Sequence, residues 1–240
     1  MKTSTLDELV ASDSVYVRWA VNPLQHLATW QLASGWASLV DGDEGPVLLT
    51  EGELNLLDYA RLIAAAVELG QSPVFVNLPT TLAEKIAIER PHRWVWLWRE
   101  TPLRSLPQGC EVVEPGAVDG ELAKFLEAAA PDSSRKPGHP EVEFWVVHRN
   151  PAGDIDGCAG GSRWSTGLAN IVSVAVAMAA RGRGIGSAVT QVAASEWFSR
   201  GESRVALGVR QSNAAALHVY RRLGFDHEID YTSFRLADSK

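Results

Sequence analysis

The chain is poor in sulfur: 240 residues contain two cysteines, Cys110 and Cys158, and two methionines. Two cysteines cannot build a disulfide framework, so the core must hold the fold. Long apolar runs are also missing. The longest, Ala169 to Ala180, is interrupted by Asn170 and Ser173 and is too short to span a bilayer, so no membrane partner is expected. Basic residues are outnumbered, 22 Lys and Arg against 29 Asp and Glu, for a net charge of −7. That balance excludes a general nucleic-acid binder, which needs a basic face to neutralise phosphates. No secretory leader pattern is visible, so a reducing, cytoplasmic setting is expected. What remains is ordinary for a folded protein: 46% of residues are hydrophobic and 21% charged. Nine residues are tryptophan, and six of them (Trp19, Trp30, Trp36, Trp94, Trp96, Trp98) lie in the first hundred positions.

The length suits one large domain or two small ones. The stretch Thr101–Gly109 carries two prolines and no periodicity, and reads as a linker. A boundary there gives an N-terminal α/β domain over 1–104 and a second domain over 105–240. The second half predicts strands at Cys110–Val113, Val142–His148, Ile155–Trp164, Ala169–Ala177, Arg204–Val209 and Ile229–Leu236. Helices are expected at Val118–Ala130, from the glycine loop to about Arg200, and at Ala214–Leu223. The first half predicts strands at Val15–Ala20, Trp36–Val40, Val47–Thr50, Pro73–Asn77 and Trp94–Trp98, with helices at Leu24–Leu32, Leu56–Leu69 and Leu82–Glu89. The last three elements of that half repeat the order found after Gly186, which reads as an internal duplication. The fold class is α/β (α+β): a mixed, mostly antiparallel sheet flanked by helices, preceded by a smaller α/β domain.

The main chemical signal lies between Val174 and Ser187. A buried strand runs into Arg181-Gly182-Arg183-Gly184-Ile185-Gly186-Ser187 and directly into a helix. Glycines let the backbone turn tightly and approach a ligand. The first N–H groups of the helix then converge where its dipole favours negative charge, and a pyrophosphate suits such a place. Three readings of the loop compete. A P-loop lacks its Lys, and a Rossmann fingerprint has Ser187 where a third glycine belongs and Val209-Arg210 where an acid should end the next strand. A plain strand-to-helix turn with surface arginines is the third. From Arg181 onward there are nine Lys and Arg against six Asp and Glu, a local net of +3. The acidic chain therefore keeps a basic segment beside this loop.

Arg181-x-x-Gly184-x-Gly186 after a hydrophobic strand resembles the acetyl-CoA pyrophosphate loop of the GNAT superfamily of N-acetyltransferases. The downstream Leu207-Gly208-Val209-Arg210-Gln211-Ser212-Asn213, then Tyr220 and Leu223-Gly224-Phe225, is similar to the second half of that fold. It is most like the ribosomal-protein alanine N-acetyltransferase branch. The resemblance covers about residues 110–236. It implies acetyl transfer from acetyl-CoA to an amine acceptor in a ternary complex, without a metal. It implies that Val174, Ala175 and Val176 pair with pantetheine, and that a strand N–H near Val176 polarises the thioester carbonyl. Gly182, Arg183, Gly184, Ile185, Gly186 and Ser187 would hold the pyrophosphate with Arg181. Asn213 would cap the next helix and contact the cofactor. Tyr220 would protonate the leaving thiolate.

One position departs from that branch. Its members carry a glutamate on the fifth strand as general base, and Gly208 stands there in this chain. Glu143, Asn170, Ser173 and His139 are the alternative bases, or a water chain does the work. The departure also leaves room for an acyl-CoA sensor without turnover, or for transfer of a longer acyl group. The acceptor and the oligomeric state, monomer or homodimer, are open. In the first half the place of the glycine loop is taken by Thr50-Glu51-Gly52-Glu53-Leu54-Asn55. Two glutamates there would repel a pyrophosphate, so that half reads as a degenerate acetyltransferase-like repeat. Alternation puts Trp94, Trp96 and Trp98 on one strand face, as core or as an aromatic wall.

Overall fold

The structure is a computed structural model that describes residues 1–12, 14, 16–103, 107–164 and 166–238. The chain begins β1 (Lys2–Ser4), α1 (Leu6–Val10), α2 (Tyr16–Ala20), β2 (His26–Leu32), β3 (Gly35–Gly42), β4 (Gly45–Gly52), α3 (Leu56–Glu68), β5 (Phe75–Pro79), α4 (Thr80–Ala83) and β6 (His92–Arg99). It continues β7 (Cys110–Val113), α5 (Asp119–Ala129), β8 (Val142–Arg149), β9 (Ile155–Arg163), β10 (Ala169–Val176), α6 (Ile185–Ser199), β11 (Val205–Arg210), α7 (Ala214–Arg222) and β12 (His227–Arg235). Two compact units result: Met1–Val95 with Ile229–Lys240, and Trp96–Glu228. The boundary expected between 104 and 105 falls outside the described residues. Among the described residues no helix is long and apolar enough to cross a membrane.

The first unit orders its strands β1-β2-β3-β4-β5-β12. Neighbours are antiparallel except β4 and β5, which are parallel. Helix α3 forms where expected: Asn55 caps it, accepting from the N–H groups of Leu57 and Asp58, and Leu62 and Ala66 face the core. Three expectations fail here. Residues 16–20 of the expected strand Val15–Ala20 form helix α2, and Val15 lies outside the described residues. The expected helix Leu24–Leu32 is strand β2, because Trp30 and Leu32 reach the core on alternate positions while β3 supplies an antiparallel ladder. The expected helix Leu82–Glu89 is the single turn α4. Pro91 disfavours helix in the residue before it, and Ile86 and Ile88 still pack on the core.

The second unit orders its strands β6-β11-β10-β9-β8-β7. β7 to β10 are antiparallel, and β10 and β11 are parallel. The sheet packs on both faces. On one, Phe144 meets Trp197 of α6 edge to face at 5.0 Å. Gly161 is required there, since a Cβ would stand 2.2 Å from the Phe144 ring. On the other face Trp145, Val147, Cys158 and Ala175 bury against Leu122 and Leu126 of α5. Both units therefore run through four antiparallel strands, then a helix, then a parallel fifth strand. Their sixth strands depart from chain order. β12 pairs with β5 from Tyr231 to Arg235, and β6 neighbours β11. No sequence pattern foretells that.

Candidate active site

β10 carries an irregularity that prepares the site. Its register with β9 shifts between Val172 and Ala175, and Ser173 sits there with φ of 52°, the sole described non-glycine residue with positive φ. Such a conformation costs about 1–3 kcal/mol and persists only where neighbours fix it. Ser173 is fixed on both sides. Its hydroxyl donates to the Arg135 carbonyl at 2.6 Å, and its carbonyl accepts from the Cys158 thiol at 3.4 Å. On the opposite edge, the register of β10 with β11 covers only Asn170↔Ala206 and Ile171↔Leu207. Past that point the described register gives no further pair between the two strands. Val174, Ala175 and Val176 lie past it.

The chain then passes a 3-10 turn, Met178–Ala180, and enters α6 through Gly182 and Gly184, with φ of 77° and 82°. Both are in the left-handed region, which a glycine adopts without penalty. Gly184 is the N-cap of α6, and no side chain caps it. The first intrahelical bond is Ala188 N–H to the Gly184 carbonyl at 3.0 Å, so Ile185, Gly186 and Ser187 precede any i−4 partner. A Cβ at Gly182 or Gly184 would meet nothing within 4 Å, and at Gly186 only Val176 Cγ2 at 3.4 Å. Arg181, Arg183 and the two glycines before the helix are exposed. Arg181 is turned back toward the strand, its Nε donating to the Val176 carbonyl at 3.3 Å. Strand, loop and helix thus bring residues 174–176 and 181–187 together as one uncapped, cationic helix entrance.

The corresponding place in the first unit is closed by its own side chains. Glu51 Oε2 accepts the N–H groups of Tyr16 at 2.9 Å and Val17 at 3.0 Å, and also the Ser14 hydroxyl. Asn55 takes the first N–H groups of α3.

Asn213 caps α7, its Oδ1 accepting from Ala216 N–H at 3.2 Å. Tyr220 follows on α7, which packs against α6. It is buried beside Phe225, centroids 6.2 Å apart, and burial pushes its phenol well above the usual tyrosine range. The Leu223-Gly224-Phe225 signature is the end of this helix. Phe225 N–H bonds the Tyr220 carbonyl at 3.1 Å across Gly224, whose φ is 74°. The buried Arg99 guanidinium donates to the Leu223 carbonyl and lies 5.9 Å from the Phe225 ring centroid.

The alternative bases separate on inspection. Glu143 is committed to Arg163 at 2.6 Å and Arg200 at 3.6 Å. His139 Nδ1 accepts from Glu141 N–H at 3.2 Å, within its own loop. Ser173 is held by Arg135. Asn170 is buried on β10, and its Oδ1 has no hydrogen-bond partner among the described residues. Two tryptophans lie near Gly208 or one another: Trp96, which alternation places on the aromatic face of β6, and Trp164, which carries no signal of its own in the sequence. A Cβ at Gly208 would stand 3.4 Å from Cε2 of Trp96, and Trp164 meets Trp96 nearly at right angles, centroids 5.1 Å apart. The Trp96 indole borders the position at which the resembling branch has a carboxylate. Among the described residues no group of three His, Cys, Asp or Glu is placed to hold a metal.

The chain is 40% identical over 150 residues to a mycothiol acetyltransferase of Tsukamurella paurometabola. That match takes in 48% of this chain and 51% of the relative, so the chain spans about half the length of the curated protein it matches. An acetyltransferase of the GNAT family from Colwellia psychrerythraea superposes with a TM-score of 0.57 at 13% identity, covering 98% of this chain and 99% of that one. A tandem GNAT protein from the clavulanic acid biosynthesis pathway superposes with a TM-score of 0.50 at 14% identity, covering 90% and 84%. At those identities the structural matches speak for the fold alone. The family model described as acetyltransferase (GNAT) family matches residues 103–225, which take in β7 to α7 and the residues expected to bind the cofactor and to carry catalysis but not Trp96, and this chain belongs to that family.

Proposed function

We propose that this protein is an N-acetyltransferase that moves the acetyl group of acetyl-CoA to an amine by direct transfer in a ternary complex. The observation that carries the reading is the uncapped entrance of α6 at the end of a bulged strand whose described pairing with its parallel neighbour stops at Ile171. The entrance fits the group it would receive. Nothing stands within 4 Å of the missing Cβ atoms of Gly182 and Gly184, and the dipole of a helix favours an anion at its N-terminus.

The residues then take these parts. N–H groups of 182–187 hold the pyrophosphate, with Arg181 and Arg183 adding positive charge. The backbone of Val174–Val176 pairs with pantetheine as a further strand, and one of its N–H groups polarises the thioester carbonyl. The acceptor nitrogen bonds to the acetyl carbon and loses a proton to water as the carbon–sulfur bond breaks. Tyr220 gives its phenolic proton to the departing thiolate and is reprotonated from solvent. Burial keeps the phenol protonated throughout the neutral range, so the proton is in place when the thiolate leaves. With Gly208 in place of a carboxylate, water carries the amine proton away.

The test is CoA release from acetyl-CoA with a panel of amines, run beside direct measurement of acetyl-CoA binding. Turnover with at least one amine is expected. Tight binding with no release across the panel would mean an acyl-CoA sensor. Competition among acetyl-, succinyl- and longer acyl-CoAs in thermal shift sets the acyl length. Acetyl-CoA is expected to stabilise the protein most.

A further inference from the structure

We propose that Trp96 and Trp164 form the acceptor-binding corner of this site, and that Gly208 selects for an amine carrying a flat aromatic ring. This rests on the acetyltransferase reading above and names its substrate class. Gly208 is exposed on β11, immediately past the last residue paired with β10. The position is two residues beyond Ala206, the partner of Asn170, so both side-chain positions lie on one sheet face. The ring atoms of Trp96 nearest the missing Cβ are Cε2, Cζ2 and Cδ2, at 3.4, 3.5 and 3.8 Å. Similar distances to three ring atoms mean that the indole lies over the glycine. An alanine would just touch it, and any longer side chain would displace it. Trp164 stands at 79° to Trp96, and both rings are half-buried. A planar ring entering such a corner finds one indole face and one indole edge, the two arrangements that aromatic quadrupoles favour.

A second observation marks this face as a ligand surface. Asn170 and Ser162 are cross-strand partners on it. Both are buried, at 2% and 0% exposure. Asn170 Oδ1 and Ser162 Oγ have no hydrogen-bond partner among the described residues. Buried polar atoms are ordinarily satisfied, so an unpartnered pair on this face leaves hydrogen-bonding capacity beside the corner, which a ligand N–H reaches only if the pair becomes exposed. An aromatic amine fits both features, with its ring on the indoles and its nitrogen toward the polar pair. A purely cationic amine fits less well. The acids Glu143 and Glu202 are engaged by Arg163, and Glu141 by Arg135.

The experiment measures calorimetric binding of three amines to the CoA-saturated protein: 2-phenylethylamine, butylamine and 1,5-diaminopentane. CoA release from acetyl-CoA is followed separately. 2-Phenylethylamine is expected to bind about tenfold tighter than either other amine. Trp96→Leu and Gly208→Glu are each expected to remove that preference, while Trp96→Phe and Gly208→Ala keep most of it. Acetyl-CoA affinity and thermal melting are checked for each variant, and Gly208→Glu serves if Trp96→Leu does not fold. Equal affinity for the three amines, a preference for the diamine, no binding of any of them, or a preference that survives both disruptive variants would overturn the proposal. The two readings fail separately. Ring preference without CoA release would sink acetyl transfer and keep the corner, and CoA release without ring preference would do the reverse.

Discussion

The carboxylate of Glu51 closes the N-terminus of α2, Oε2 accepting the backbone N–H of Tyr16 at 2.9 Å. The first unit thus satisfies from within what the second leaves open at α6. Removing that carboxylate takes one acceptor from the N–H groups of Tyr16 and Val17 and from the Ser14 hydroxyl. Charge-assisted bonds of this kind contribute about 1.5–3 kcal/mol. Glu51→Ala is therefore expected to lower stability by about 2–3 kcal/mol in a denaturant melt. Acetyl-CoA affinity should stay unchanged, because the proposed cofactor site lies in the second unit. A parallel loss of affinity would place part of its site in the first.

At the entrance of α6, Gly184→Glu adds a negative charge where a pyrophosphate is expected and forces a left-handed φ on a residue that resists it. The strain costs about 1–2 kcal/mol, so the protein should still fold. Acetyl-CoA binding is expected to fall at least a hundredfold. Gly184→Asn tolerates the same backbone without the charge and should lose tenfold or less. Wild-type affinity in Gly184→Glu would remove the loop from the cofactor site.

Much of this site is legible in the sequence because it is local. The strand, the glycine loop and α6 follow one another along the chain, and their periodicities and turn residues point one way. Helix α7 is legible for the same reason, from Asn213 as cap to Gly224 as stop. What escapes is nonlocal. Gly208 reads as a missing base, and only the tertiary structure shows that Trp96, far away in the chain, lies over it. The tryptophans of β6 are likewise neither plain core nor a continuous wall. Val95 and Leu97 are the deeply buried residues, while Trp94 and Trp96 are half-buried. The first unit is less legible because its elements are short and tertiary pairing decides them. Trp30 and Leu32 suit a helical or a strand face, and the β3 ladder settles the choice.

Glu143 is the acid nearest in type to the missing base, and its partners speak against that role. Arg163 and Arg200 both engage it, and Arg163 also binds Glu202 at 2.6 Å and lies 4.8 Å over the Trp197 ring. The cluster joins β8, β9 and α6. Glu143→Gln is expected to leave kcat/KM and its pH profile unchanged. Stability should fall by no more than about 1 kcal/mol, since these partly exposed pairs are solvent-screened. Loss of the acidic limb of the profile would make Glu143 the base.

Tyr220 allows catalysis and stability to be read from one substitution. Tyr220→Phe removes the proposed proton donor and keeps the ring packed on Phe225. kcat is expected to fall about a hundredfold, with acetyl-CoA affinity unchanged. The same variant has a signature in alkaline stability. Burial raises the phenols of Tyr220, Tyr16 and Tyr231 above their unfolded value. Below pH 10 each is protonated in both states and contributes no slope. Above it the unfolded chain loses the proton first, binds fewer protons than the native state, and is favoured. Stability should therefore fall as pH rises past about 10, by up to about 1.4 kcal/mol per pH unit for each buried phenol. Cys158, pushed up to about 12 by burial, begins the decline earlier, from the ordinary thiol range. Tyr220→Phe should remove one phenol's share of the slope between pH 10 and 11 in urea melts. An unchanged slope would mean that Tyr220 is less buried than described, and an unchanged kcat would return it to the core.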